Sequence, residues 1–131
     1  MRIAIGIGCR KNCTADEIIE LVHNALERAD VAISEVAVLA TAWVKEGAEN
    51  VMHAAEAMDL PLLVIPQEKC EAVANLAQTI SQKVVAIHAI PSVAETAALA
   101  AAGKNPRLIL PRINSSSASC AIAVSGIYGK L

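Results

Sequence analysis

Three short stretches of this chain carry side chains that could bind or transform a small molecule. The first is Gly6-Ile7-Gly8-Cys9-Arg10-Lys11, where an apolar strand runs into two glycines, a thiol and two cations. A strand that stops at glycines before a helix leaves free amide donors at the positive end of a dipole, a receptor for an anionic group. Thr14 and Glu17 mark the start of that helix: the hydroxyl can accept from the N3 amide while the carboxylate reaches back. The second stretch, Pro91-Ser92-Val93-Ala94-Glu95, repeats the spacing. Capping alone explains it, but the Ser92 hydroxyl could also meet a ligand carboxylate, with Glu95 as general acid or base. The third is Lys45, just past an apolar strand, at the carboxyl edge where open α/β sheets bind ligands. Arg112 ends a later strand and has the same two readings, solvated charge or ligand contact.

Other chemistries lack their residues. Gly6-x-Gly8 has no third glycine, because position 11 is lysine, and no Gly-Lys-Ser/Thr ending follows. His23, His53 and His88 share no metal-ligand spacing with a cysteine or carboxylate, so neither a metal nor a cofactor is implied. Cys9 and Cys13 are separated by three residues, which is neither a Cys-x-x-Cys redox motif nor a zinc ribbon; with Cys70 and Cys120 they read as reduced thiols. A nucleophilic set of His88, Ser92 and Glu95 is disfavoured because a capping serine has its lone pair engaged.

The elements that must position these residues follow from hydropathy. The chain has 131 residues, is 55% hydrophobic and 18% charged, and suits one domain spanning 1–131. With no Phe, one Trp and one Tyr, its core must pack through small and branched side chains. A net charge of −2 without basic-aromatic interleaving argues against nucleic acid, and no apolar run approaches the roughly 18 residues of a membrane span. Met1-Arg2 leads straight into the first strand, so the expected location is cytoplasmic.

Helices are expected at about 15–29, 48–58 and 68–81, with an Ala-rich one after Pro91 that stops at Gly103. In the second, Val51, Met52, Ala55 and Met58 should face inward; in the third, Val73, Leu76, Ala77 and Ile80. Strands are expected at Ile3–Ile7, Val36–Ala42, a buried Leu62–Ile65, Leu108–Leu110 ending at Pro111-Arg112, and Ser119–Val124. Val84–Ile87 reads as a short strand or an extended segment. The last two strands, joined by the polar turn Asn114–Ser117, should pair antiparallel. The fold class is α/β: a three-layer α/β/α sandwich with a mixed sheet of about five strands.

Gly6-Ile7-Gly8-Cys9-Arg10 with its Glu17-Ile18-Ile19 helix, and Pro91-Ser92-Val93-Ala94-Glu95-Thr96-Ala97-Ala98-Leu99, together resemble the CobE/CbiG C-terminal domain family of cobalamin (vitamin B12) biosynthesis. The resemblance runs nearly end to end, through the Thr41–Lys45 loop, Leu60-Pro61-Leu62 and the Leu110–Ala123 hairpin. It picks out Gly8, Cys9, Arg10, Lys45 and Ser92 as substrate-binding residues and Glu95 as the catalytic candidate. It departs from the family where Trp43 stands in place of an acidic residue and Ala89 in place of a glycine. The larger three-part CbiG proteins open the ring lactone of cobalt-precorrin-5A and release acetaldehyde, but this chain has no room for their other two parts.

Three functional readings follow. The first is an accessory protein that binds a polycarboxylate tetrapyrrole, a precorrin or hydrogenobyrinic-acid-like intermediate, and works beside other cobalamin-pathway enzymes. The second is a small hydrolase or lyase on the same pathway, with Glu95 as acid/base and Arg10 holding an oxyanion. The third is a nucleotide-binding module.

Overall fold

The structure, a computed structural model, describes residues 2–10, 12–43, 48–78 and 92–126. Five strands form one mixed sheet: β1 (Ile3–Cys9), β2 (Val36–Ala42), β3 (Leu62–Ile65), β4 (Pro106–Asn114) and β5 (Ala118–Ser125). Their order is β3-β2-β1-β5-β4, with β1, β2 and β3 parallel and the β4–β5 hairpin antiparallel against β1. Among the described residues the α-helices are α1 (Ala15–Ala29), α2 (Ala48–Ala57), α3 (Gln67–Ala72) and α4 (Val93–Ala102).

Side chains alternate across a strand, so β1 divides its residues between two cores. Ile3, Ile5 and Ile7 face α1 and α2, joined by Leu39 of β2 and by Cys120, Ile122 and Val124 of β5. Ala4 faces the other way, with Val38, Ala40, Ala42 and Ala123, against α4 and Cys70 of α3. The first layer is branched and aliphatic, and each fully buried Ile or Leu there contributes about 1.5–3 kcal/mol. The second is mostly alanine, which lets α4 settle close to the sheet. A Cβ on Gly6 would stand 1.9 Å from the Ala94 carbonyl oxygen and 2.6 Å from the Ala98 nitrogen. No side chain fits there.

This corrects the reading of the two glycines. They do not end the strand: β1 continues to Cys9, with Gly6 opposite Ala121 and Gly8 opposite Ser119. The small size of Gly6 serves the α4 contact, and that of Gly8 leaves room for the Ser119 hydroxyl. The α4 helix itself matches expectation, with nine of its ten residues buried and Gly103 following at φ 109°.

Four other expectations shift. In α2 the inward stripe is Val51, Ala54 and Ala55, with Met58 packed against the same core; Met52 lies off it and is 44% exposed. β3 is an edge strand rather than a buried one, and Val64 is 57% exposed. β4 continues through Pro111 and Arg112 to Asn114, with irregular pairing between Leu108 and Ile113. The third helix stops at Ala72, gives way to a 3-10 turn at Ala74–Leu76, and leaves Leu76 41% exposed. Beyond that turn the Gln78 N–H, which a longer helix would bond to Ala74, is taken by the Glu95 carboxylate. Ile80, the segment Val84–Ile87 and His88 lie outside the described residues.

Candidate functional site

Parallel strands β1, β2 and β3 end at one edge of the sheet, and the sequence motifs gather there. The β4–β5 turn reaches it because β5 starts opposite Cys9. The Arg10 N–H donates to the Ser117 carbonyl at 2.9 Å, fixing the β1–α1 turn to the hairpin turn. The Arg10 carbonyl accepts from Cys13 N–H at 3.0 Å and from Cys9 Sγ at 3.2 Å. The Asn50 side-chain amide of α2 donates to the Cys13 carbonyl. The backbone around Arg10 is therefore held by three elements, while its side chain is exposed. Among the described residues, no carboxylate pairs with that guanidinium.

The start of α4 reaches the same edge on the opposite layer. A Cβ on Gly8 would stand 3.4 Å from the Val93 Cβ, and at the other end of the helix Arg2 Nε donates to the Ala101 carbonyl at 3.0 Å. So α4 runs antiparallel to β1, with its N-terminus above the strand's carboxyl end. Ser92 caps it, accepting from Glu95 N–H at 3.3 Å. The Glu95 carboxylate leads elsewhere. It is fully buried; Oε1 accepts from Gln78 N–H and Oε2 from Arg112 N–H, both at 2.9 Å.

At α1 the capping box is complete: Thr14 Oγ1 accepts from Glu17 N–H, and Glu17 Oε1 accepts from Thr14 N–H. Glu17 Oε2 also accepts from Ser117 Oγ at 2.8 Å. That hydrogen bond, with the one from Thr14 N–H, holds the Glu17 carboxyl below its ordinary value of 4.5. The two helices share a device: the N3 glutamate of each reaches the C-terminal hairpin, one at Ser117 and the other at Arg112.

All four cysteines are free thiols. Burial first, then the hydrogen bond with Cys13, pushes the Cys9 thiol well above its usual range, so it is a neutral donor at pH 7. Burial likewise raises Cys70, to about 11, and Cys120 further.

The sequence matches the family described as "Cobalamin synthesis G C-terminus" over residues 3–123. The chain belongs to this family. Among curated CbiG C-terminal relatives it is 31% identical to Protein CobE of Sinorhizobium sp. over 121 residues, 92% of this chain and 79% of that one. The fold is similar to a crystal structure of CobE, a protein from the cobalamin biosynthetic pathway. That match has a TM-score of 0.87 and 25% identity, and covers 93% of this chain and 89% of that one. It is also similar to the cobalamin biosynthesis protein chiG from Agrobacterium tumefaciens, with a TM-score of 0.76, 38% identity, and coverage of 95% and 98%. This CbiG C-terminal chain is thus a cobalamin biosynthesis protein with the family's α/β fold.

Of the six site residues expected in it, Gly8, Cys9, Arg10, Ser92 and Glu95 come together at one edge of the sheet. Lys45 lies outside the described residues, as does Lys11. Sequence reasoning missed Ser117, Gln78 and Asn50, which hold the edge together. A glutamate inside the largely apolar, buried α4 was the available signal, since a buried carboxylate needs donors from elsewhere.

Proposed function

We propose that this protein binds a cobalamin-pathway tetrapyrrole through its acetate and propionate side chains at the carboxyl edge of the sheet. The observation that carries this is Arg10: a cation whose backbone N–H and carbonyl are both hydrogen-bonded, exposed, and without a carboxylate partner among the described residues. The planar fork of such a group matches a ligand carboxylate in bidentate fashion. Ser92 and the first turn of α4 are buried on the opposite layer and shape the same edge of the sheet. The N-terminus of α1 contributes less, because Asp16 and Glu17 already answer its dipole. The family resemblance adds Lys45, in the segment after β2, as a second cation.

The placement of Glu95 does not favour a hydrolase. A fully buried carboxylate with both oxygens engaged holds the site's walls rather than exchanging protons with a substrate. The glycines favour nucleotide binding no better, since both lie within β1 and form no loop around a phosphate. A depression of about 380 Å³ lined by Leu26, Glu27, Asp30, Val31, Ala32 and Glu35 lies at the other end of α1. It holds three carboxylates and no cation, which is the wrong charge for a polyacid.

An absorbance titration with hydrogenobyrinic acid tests the proposal. Saturable spectral change with the wild type, about tenfold weaker in Arg10→Ala, and recovery of the ligand at unchanged mass are expected. No spectral change with the wild type, or equal binding by Arg10→Ala, contradicts it.

A further inference from the structure

The Arg112 guanidinium is the unexplained group of this edge. Its Nε is buried and has no hydrogen-bond partner, a condition folded proteins rarely leave standing on a charged donor. Its backbone is fixed: the N–H is held at 2.9 Å by Glu95 of α4. That carboxylate is in turn fixed by the Gln78 N–H. The irregular pairing between Leu110 and Ile113 sets Pro111 and Arg112 off the regular ladder with β5. Bulges of this kind are a common means of re-aiming one side chain beside a site. The residue so aimed lies next to the N-terminal turn of α4, the same turn that stands above Gly8 and the Arg10 turn. Glu95 spends its carboxylate on the arginine's backbone, and no described acidic side chain pairs with the guanidinium.

We infer that Arg112 forms a recessed carboxylate subsite, in which its buried Nε–H and fork donate to one acid arm of the ligand while Arg10 takes another at the rim. The inference rests on the binding function proposed above and adds a second anchoring point. Two cations at different depths, on different elements, would favour a ligand bearing several carboxylates over a single-acid one. Glu95 is then a positioning residue: it holds the strand that carries the arginine through the backbone N–H and does not engage the Nε.

Two probes test it, hydrogenobyrinic acid followed by absorbance and succinate followed by thermal shift, on wild type, Arg112→Met and Arg112→Lys. Methionine keeps the apolar stem and leaves the backbone bond to Glu95 intact. Expected are a dissociation constant for hydrogenobyrinic acid raised at least tenfold in Arg112→Met and less in Arg112→Lys. Succinate should raise the melting temperature of the wild type but not of Arg112→Met. Ligand-free Arg112→Met should melt at or above the wild type, since the unpaired donor is gone. Unchanged binding by Arg112→Met overturns the subsite and leaves the proposed function standing. Succinate stabilisation that depends on Arg112, without tetrapyrrole binding, does the reverse. Melting of ligand-free Arg112→Met several degrees below the wild type makes the residue structural and overturns the inference, as does the absence of any Arg112-dependent response to either probe.

Discussion

Oε2 of Glu95 lies 2.9 Å from the backbone nitrogen of Arg112, so a side chain near the start of α4 secures the strand at the far edge of the sheet. The other oxygen holds Gln78, just after the 3-10 turn that follows α3. One buried carboxylate thus sets the spacing of three segments around the candidate site.

Glu95→Ala leaves two backbone donors without their acceptor. A loss of about 2–6 kcal/mol in urea unfolding is expected, from about 1–3 kcal/mol for each unsatisfied donor. Glu95→Gln should cost less but not be silent, because one of its two terminal atoms becomes a donor facing a donor. A change in the alanine variant below about 0.5 kcal/mol would contradict the clamp.

Gly6 and Gly8 should differ in what they tolerate. A Cβ at Gly6 meets backbone atoms of α4 that cannot move independently, so Gly6→Ala should destabilise by about 3 kcal/mol or more. At Gly8 the nearest atom, 2.6 Å away, is the Ser119 hydroxyl, which can swing or be removed. Gly8→Ala should therefore be milder, and Gly8→Ala with Ser119→Ala milder still. Equal melting temperatures for the two single variants would show that α4 does not press on the sheet as described.

Glu17 predicts a pH dependence. Its folded carboxyl titrates below the ordinary value of 4.5, chiefly through Ser117 and then Thr14. The unfolded chain then binds the proton more readily, so the stabilisation is complete above that ordinary value and is lost as pH falls through the folded one. Urea midpoints measured from pH 7 to pH 3 should fall less steeply in Glu17→Gln, with Ser117→Ala between it and the wild type. Parallel curves for all three would refute the link.

The thiols should be slow nucleophiles. Burial raises Cys9 and Cys70, so at pH 7.5 iodoacetamide should label both far more slowly in the folded protein than in urea. Rapid labelling of Cys9 in the native state would reopen a nucleophilic role for it.

Period and capping made α1, β2 and α4 legible, because their stripes and N-caps agree with the packing they enter. The Gly6-x-Gly8 pattern misled: glycines before a polar turn suggest a strand end, and only the approach of α4 shows why they lie inside one. The end of α3 was not legible, because its local sequence suits a longer helix; the carboxylate that takes Gln78 N–H beyond it sits 17 residues away. The candidate site was readable as separate motifs at strand ends and helix starts. The contacts that join them, Arg10 to Ser117 and Glu95 to Arg112, are long-range and leave no periodic trace.

A crystal soaked with hydrogenobyrinic acid tests the central claim most directly. The account places the ligand at the carboxyl edge of β1, with one of its carboxylates within hydrogen-bonding distance of the Arg10 guanidinium and the ring beside the first turn of α4. Ligand density at the opposite end of α1, or at any site where Arg10 remains solvated, would contradict it.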